Sequence, residues 1–389
     1  MLTVTRFQRV RMAEHGAFMD LTPAAIDRWR QNIANSTRAN YLYEMGRALI
    51  AEGNKDVGLQ KVRAALELYP ALHDARSFLI DHLHAEGGAA EAKSLDSQGR
   101  TSFPDFPVAY VLFQVKRHLE RKEFADARSL LATAGITGNA SGDAVYCWQQ
   151  IMGYQLQAGA PPEDLLESAE AIVALNGAEP KALEVAGMNA LLLGRYEDAI
   201  RHLDDLCAAT QSNHSALLFA GMACHCAGRF ADALARFDAT LRCTPDALAD
   251  RLQFHAGAHA HSAASHLAMG DMDAASAAIA QAQAVDPDDF RSRIFLALVL
   301  ERQERREQAV QTAQNALRVS PDHPFALIVL GHAQALLGQR EAALATVARL
   351  KDCPSYLAST MLDLGMWMIP TILPLASQAG ISLRQATGR

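Results

Sequence analysis

The strongest constraint on this chain is a recurrence at 34 residues. Segments beginning at Pro180 and His214, and again at Ala256, Phe290 and Pro324, carry one pattern at that interval. In 214–247 it reads Leu217, Ala220, Gly221, Cys224, Gly228, Phe230, Ala233, Phe237, Thr240 and Pro245. Each copy has two stretches with apolar residues at i, i+3/i+4 and i+7, a glycine-bearing turn between them, and a closing proline that cannot continue a helix. That predicts a helical hairpin. One hairpin cannot bury both its faces, so neighbouring copies stack into a continuous core. Gly221 and Ala233 fall where two helix backbones come close, and a large side chain there would force them apart.

These offsets resemble the tetratricopeptide repeat, which sets a large residue at position 4, leucine and then a small residue at 7 and 8, and an aromatic at 11. Glycine at 15, an aromatic at 17, alanine at 20, an aromatic at 24, alanine at 27 and proline at 32 complete it. The segment 180–213 supplies Leu183, Ala186, Gly187, Gly194, Tyr196, Ala199 and Leu203. The later copies carry Gly270, Ala275 and Pro287, then Ala309, Ala316 and Pro321, then Gly331, Gly338 and Ala343. Upstream, 39–72 fits through Leu42, Met45, Gly46, Leu49, Val62, Ala65 and Pro70. Between them, 73–106 keeps Leu79, Leu83, Gly87, Ala92 and Pro104 but has Ile80 where a small residue belongs. The segment 108–141 keeps Phe124, Ala127 and Leu131, and 146–179 keeps Gly153 and Leu156 but is disturbed by Pro161 and Pro162.

The resemblance implies nine repeats in an all-α fold, a right-handed superhelical solenoid of stacked antiparallel helix pairs, like stand-alone bacterial members of the family. The expected organisation is an N-terminal extension (1–38), partly degenerate repeats (39–179), C-terminal repeats (180–357) and a C-terminal cap and tail (358–389). A leading helix over 21–35, entered through Thr22 and Pro23, sets Ile26, Trp29 and Ile33 on one face. At the other end, Leu362, Met366, Trp367 and Ile369 form the closing helix. About four residues around Gly142 and the eight residues 248–255 break the register, as a hinge or as a lengthened helix or loop.

A net charge of -7 argues against a nucleic-acid binder. The stretch 1–11 lacks the apolar core of a secretory signal, and 364–376, the most apolar segment, is too short for a spanning helix and carries Pro370 and Pro374. The six cysteines form no C-x-x-C pair and read as reduced thiols, so the expected compartment is the cytoplasm. His255, His259 and His266 share a helical stripe, but His259 and His266 fall at positions 4 and 11, which the resemblance assigns to packing inside the hairpin, and no cysteine or carboxylate completes a metal site. Cys224, His225 and Cys226 point about 100° apart on a helix and cannot converge on one ion. With no phosphate-binding loop or nucleophile elbow, and flanks too short for a catalytic domain, the expectation is a non-enzyme without metal or cofactor.

In the family, the first helix of each repeat lines a concave groove, through positions 2, 5, 6, 9, 12 and 13. The resemblance assigns partner binding to Val185, Met188 and Leu192, to Leu218, Phe219 and Met222, to Ile294, Phe295 and Leu298, and to Phe325, Ile328 and Val329. Position 6 reads Val185, Phe219, His261, Phe295 and Val329, without the family's carboxylate clamp or asparagine ladder. The expected ligand is an apolar or amphipathic helical segment of another protein, unless a tight superhelix or a terminal segment of the same chain fills the groove. The alternative role is a non-catalytic accessory subunit of an enzyme system such as protein or polysaccharide glycosylation. Met361 to Pro374 reads either as a cap or as a surface for a partner or a second copy of the chain.

Overall fold

The structure, a computed structural model, describes residues 23–100, 109–134, 142–177, 179–210, 213–243 and 248–383. Thr22, Pro104 and Pro245, named above as a helix cap and repeat ends, lie outside them. Twenty α-helices and two short 3-10 turns make up the regular structure among the described residues, and none of it is strand. The chain divides into two compact units, Met1–Pro161 and Pro162–Arg389.

The first unit holds α1 (Pro23–Ala51), α2 (Lys55–Leu68), α3 (His73–Ala85), α4 (Ala89–Arg100), α5 (Ala109–Glu120), α6 (Phe124–Ala134) and α7 (Gly142–Ala158). Helices α1–α2, α3–α4 and α5–α6 pair as hairpins, and α7 packs on α5. The leading helix does not stop before the first repeat. No glycine or proline lies between Pro23 and Gly46, so α1 runs through both, with Ile33 and Tyr41 exposed.

The second unit holds α8 (Pro162–Asn176), α9 (Pro180–Leu192), α10 (Tyr196–Ala209), α11 (His214–Cys226), α12 (Phe230–Arg242), α13 (Leu248–Met269), α14 (Met272–Val285), α15 (Phe290–Arg302), α16 (Arg306–Val319), α17 (Pro324–Leu336) and α18 (Arg340–Ala348). From α9 to α18 these are five consecutive antiparallel hairpins. A turn at Arg349–Asp352 leads to α19 (Ser355–Leu364), and a second at Met366–Met368 to α20 (Ile369–Gln378). The boundary between units falls one helix before the 179/180 division, because α8 packs on α9. Both register breaks are absorbed as helix: α13 begins at Leu248 and runs for 22 residues, and α7 begins at Gly142.

Local chemistry fixes the hairpins. Asn213 and Asp271 cap α11 and α14 by accepting from the Ala216 and Ala274 amides, 3.0 Å in each case, and Asp289 accepts from Ser292, 2.8 Å. At position 15 the chain turns through the left-handed region, with Gly194 at φ 74° and Gly228 at 78°. The next amide then bonds back five residues, Arg195 to the Ala190 carbonyl and Arg229 to that of Cys224, both 2.8 Å. Lys122 and Glu304 hold the same place at φ 60° and 61° without being glycine. Closure of α9–α10 and α11–α12 rests on positions 8 and 24. A Cβ on Gly187 would stand 2.6 Å from Leu203, and one on Gly221 would enter the Phe237 ring, which is fully buried.

Candidate functional site: the inner face of the second unit

The first helices of the five hairpins, α9, α11, α13, α15 and α17, make the inner face. Of the residues expected to bind a partner there, Val185, Leu218, Met222, Ile294, Phe295, Leu298, Phe325, Ile328 and Val329 are buried, and Met188, Leu192 and Phe219 are half-buried. A row of rings runs from the hairpin core onto the face: Phe237 of α12 stacks on His261 at 6.1 Å, His261 meets Phe295 edge-on at 5.5 Å, and Phe295 lies 5.3 Å from Phe325. Burial, with Arg291 and His225 nearby, pushes the His261 imidazole down to about 3, so it packs as a neutral ring.

The chain's own α19 occupies part of this face. The helix touches α9, α11 and α17, which belong to the first, second and fifth hairpins. Ten residues of helix measure about 15 Å, so the array must curl around α19 for all three to reach it. Ala358, Ser359, Leu362 and Leu364 are buried to within 2% of full coverage. Thr360 Oγ1 lies 2.9 Å from the Leu192 carbonyl and 3.0 Å from that of Tyr356 in its own helix, so one proton serves two acceptors. The Tyr196 phenol donates to the Asp363 carboxylate. His225 Nε2 donates to the Leu364 carbonyl at 3.0 Å, while its Nδ1 is 2.9 Å from Ser265 Oγ. A Cβ on Gly365 would stand 3.6 Å from the Phe325 ring.

The closing helix expected at the C-terminus is therefore two helices with different places. The path bends by 103° between Ser355–Leu364 and Met366–Gln378. Helix α20 caps the array against α17 and α18, and α19 turns inward. Leu362, Met368 and Ile372, part of the apolar stretch read as a possible contact surface, are buried within the chain. Beyond α19 the inner face continues to Arg302, whose guanidinium lies 5.7 Å from the Trp367 ring centre. Glu301 and His332 stand 3.9 Å apart there; burial pushes the carboxyl up and, with Arg302, the imidazole down to about 4.

Thr360, Asp363, Tyr196 and His225 were not singled out by sequence reasoning as contacts of this face. The signal was a hydroxyl and a carboxylate three residues apart inside an apolar helix, followed by Gly365. The remaining candidates serve packing. His255 Nε2 donates to the Cys243 carbonyl at 3.0 Å, and Arg236 Nε donates to Cys224 Sγ at 3.2 Å, with burial raising that thiol's pKa. No disulfide joins the six cysteines. In the first unit, His118, Glu123 and Asp126 bring ligand atoms within 4.8 Å of one another, and His118 Nδ1 is already 2.8 Å from Glu123 Oε2. No single helix among the described residues is long and apolar enough to cross a membrane.

Comparison with known proteins adds the following. The tetratricopeptide-repeat family model matches residues 185–247, 262–324 and 296–357. No curated protein matches the sequence. Among solved structures, a tetratricopeptide repeat protein from Parabacteroides merdae is similar at 12% identity, over 76% of this chain and 98% of that one, with a TM-score of 0.40. MamA is similar at 17% identity, over 46% of this chain and 93% of its own, with a TM-score of 0.37. The Cut9-Hcn1 hetero-tetramer of the APC/C gives 15% identity, 88% and 76% coverage, and a TM-score of 0.40. Likeness at this level leaves the inner face to be understood from its own residues. The 34-residue pattern, the hairpins it closes and the family match agree: the chain carries tetratricopeptide repeats across 185–357.

Proposed function

We propose that this protein is an interaction scaffold whose second unit takes an amphipathic helical segment of a partner protein on its inner face. The observation that carries the reading is α19. It is a short helix with an apolar face, seated on three of the five first helices, whose Thr360 hydroxyl meets a backbone carbonyl and whose Asp363 carboxylate meets a phenol, and it supports a partner segment of that kind. Met188, Leu192 and Phe219, half-buried at the end of the face formed by α9 and α11, supply apolar surface that α19 leaves partly uncovered. Methionine in such a surface adapts to varied partners. Six cysteines without a disulfide are consistent with work in a reducing compartment, the cytoplasm.

The test is photo-crosslinking in the native cell from a photoreactive residue placed at Met188 or Phe219. Val319, exposed on the second helix α16, is the control position. The reading expects an adduct with another polypeptide from Met188 and Phe219, through a helix-forming segment of the partner. Adducts from Val319 alone would move the interaction to the outer face.

A further inference from the structure

We infer that α19 is a displaceable resident ligand. A partner helix binds the inner face by replacing it, and the partner must carry α19's own chemistry: an apolar face with a hydroxyl and a carboxylate three residues apart. The inference rests on the inner-face reading above and adds to it what the partner looks like and what it must remove.

Three features of the structure lead there. First, α19 is separable from the rest of the C-terminus. It is bounded by Pro354 on one side and by Gly365 and the Met366–Met368 turn on the other, while the capping role falls to α20 on α17 and α18. Residues 353–368 can bridge the two anchored ends with α19 undocked, since an extended chain spans over 3 Å per residue. Second, α19 is held the way a ligand is held. Its contacts are apolar side chains plus directional bonds, and the three that carry the argument are Thr360 to the Leu192 carbonyl, Tyr196 to Asp363, and His225 to the Leu364 carbonyl. Two of the three involve only a side-chain hydroxyl or carboxylate of α19, so another helix with those groups at the same spacing can make them. Third, the groups they meet belong to repeats 139 to 168 residues away in sequence, and those groups are fixed by the hairpins themselves. Tyr196 is position 17 and Leu192 closes the first helix of the same repeat, so the receptor does not depend on α19 for its local fold.

The carboxylate selects among helices. Asp363 is 3% exposed, so a partner that places an apolar residue there leaves the Tyr196 hydroxyl without that acceptor in a covered site. A purely apolar helix is therefore a poorer competitor than one with an acid in that place.

The probe is a fluorescent synthetic peptide of residues 355–368, titrated into the full-length protein by anisotropy. Two protein variants loosen α19 without touching the face that receives it: Leu362→Asp, which puts a charge at a buried apolar place, and the milder Asp363→Asn. Hydrogen exchange reports in each whether α19 has come loose while α9 to α18 stay protected. The inference expects peptide affinity to rise at least tenfold from the wild type to Leu362→Asp, with Asp363→Asn between them. It also expects at least fivefold weaker binding of a peptide carrying Asp363→Ala. Equal affinity for the wild type and both variants overturns the gate and leaves the inner-face reading standing. A peptide that fails to bind a variant whose α19 is loose and whose α9 to α18 are protected removes both. Loss of protection in α9 to α18 together with α19, in the milder variant as well, makes α19 an integral part of the fold and overturns displacement.

Discussion

In the hairpin α11–α12, Gly221 lets the Phe237 ring lie against the first helix; in α3–α4 the same two places hold Ile80 and Asp96. Hairpins α9–α10 and α17–α18 likewise keep small opposite large at this pair, with Gly187 against Leu203 and Gly331 against Val347. Where the first unit reverses it, a cleft of about 270 Å³ opens, lined by Ile80, Asp81, Asp96, Arg117 and Arg121 among others. Burial works against ionisation of Asp81, but Arg117 and Arg121 outweigh it and hold the carboxyl below its usual range. A second cleft of about 440 Å³ runs along Leu79, Leu95 and the buried Arg76, which donates to the Leu95 carbonyl at 3.0 Å. The difference teaches that a large residue at the first of these places goes with space that polar side chains line, where a glycine lets the two helices close.

The comparison breaks most visibly at its ring. Phe237→Ala should remove about 3–5 kcal/mol of local stability, read as lost hydrogen-exchange protection in α11 and α12. Protection in the first unit should hold, because a repeat array couples mainly neighbour to neighbour. Loss of protection throughout the chain would show that the two units unfold as one.

Acid should separate the units next. His261 and His332 in the second unit are pushed by burial down to about 3 and about 4, and His73 in the first, beside Arg76, to about 4. These imidazoles protonate in the unfolded chain near 6.5 and resist protonation in the folded one. Stability is therefore complete above pH 6.5 and drains as pH falls toward those folded values. At up to about 1.4 kcal/mol per pH unit for each histidine, His261 and His332 together should cost the second unit up to about 4 kcal/mol between pH 6.5 and 5, and His73 should cost the first about half that. Exchange-resolved denaturant titrations at the two pH values measure it; equal losses would contradict the assignment.

Adding one methyl group sharpens the packing argument. Gly221→Ala forces a Cβ into the Phe237 ring and should cost about 1–3 kcal/mol. Gly153→Ala, in α7 of the first unit, meets nothing within 4 Å and should gain up to about 1 kcal/mol from helix propensity alone. Thermal unfolding of both variants reads the opposite signs.

The smallest effect should be the same in both units. Lys122 and Glu304 occupy the left-handed turn that glycine takes elsewhere, so Lys122→Gly and Glu304→Gly should each stabilise by about 0.5–1 kcal/mol. A rise in melting temperature in one and a fall in the other would mean that the two turns are not equivalent.

The hairpins, their turns and their packing pairs were legible in the sequence because each is decided within 34 residues. Gly228 marks a turn that needs a left-handed backbone, Asn213 caps the helix that follows it, and Gly221 and Phe237 meet across a single loop. The inner-face positions were legible as places in the repeat, and their apolar character was visible in Phe219, Phe295 and Phe325. Less legible was the broken pairing near Pro161 and Pro162, where α7 packs on α5 and α8 on α9.

What the sequence determined by itself is a row of helical hairpins with an apolar inner face, since caps, glycines and periodicity act over short stretches of chain. Only the tertiary structure decided what covers that face. The contact of Tyr196 with Asp363 spans 167 residues. It exists because small rotations between hairpins accumulate until the first and fifth come round the same ten-residue helix, and that sum is written in no single repeat.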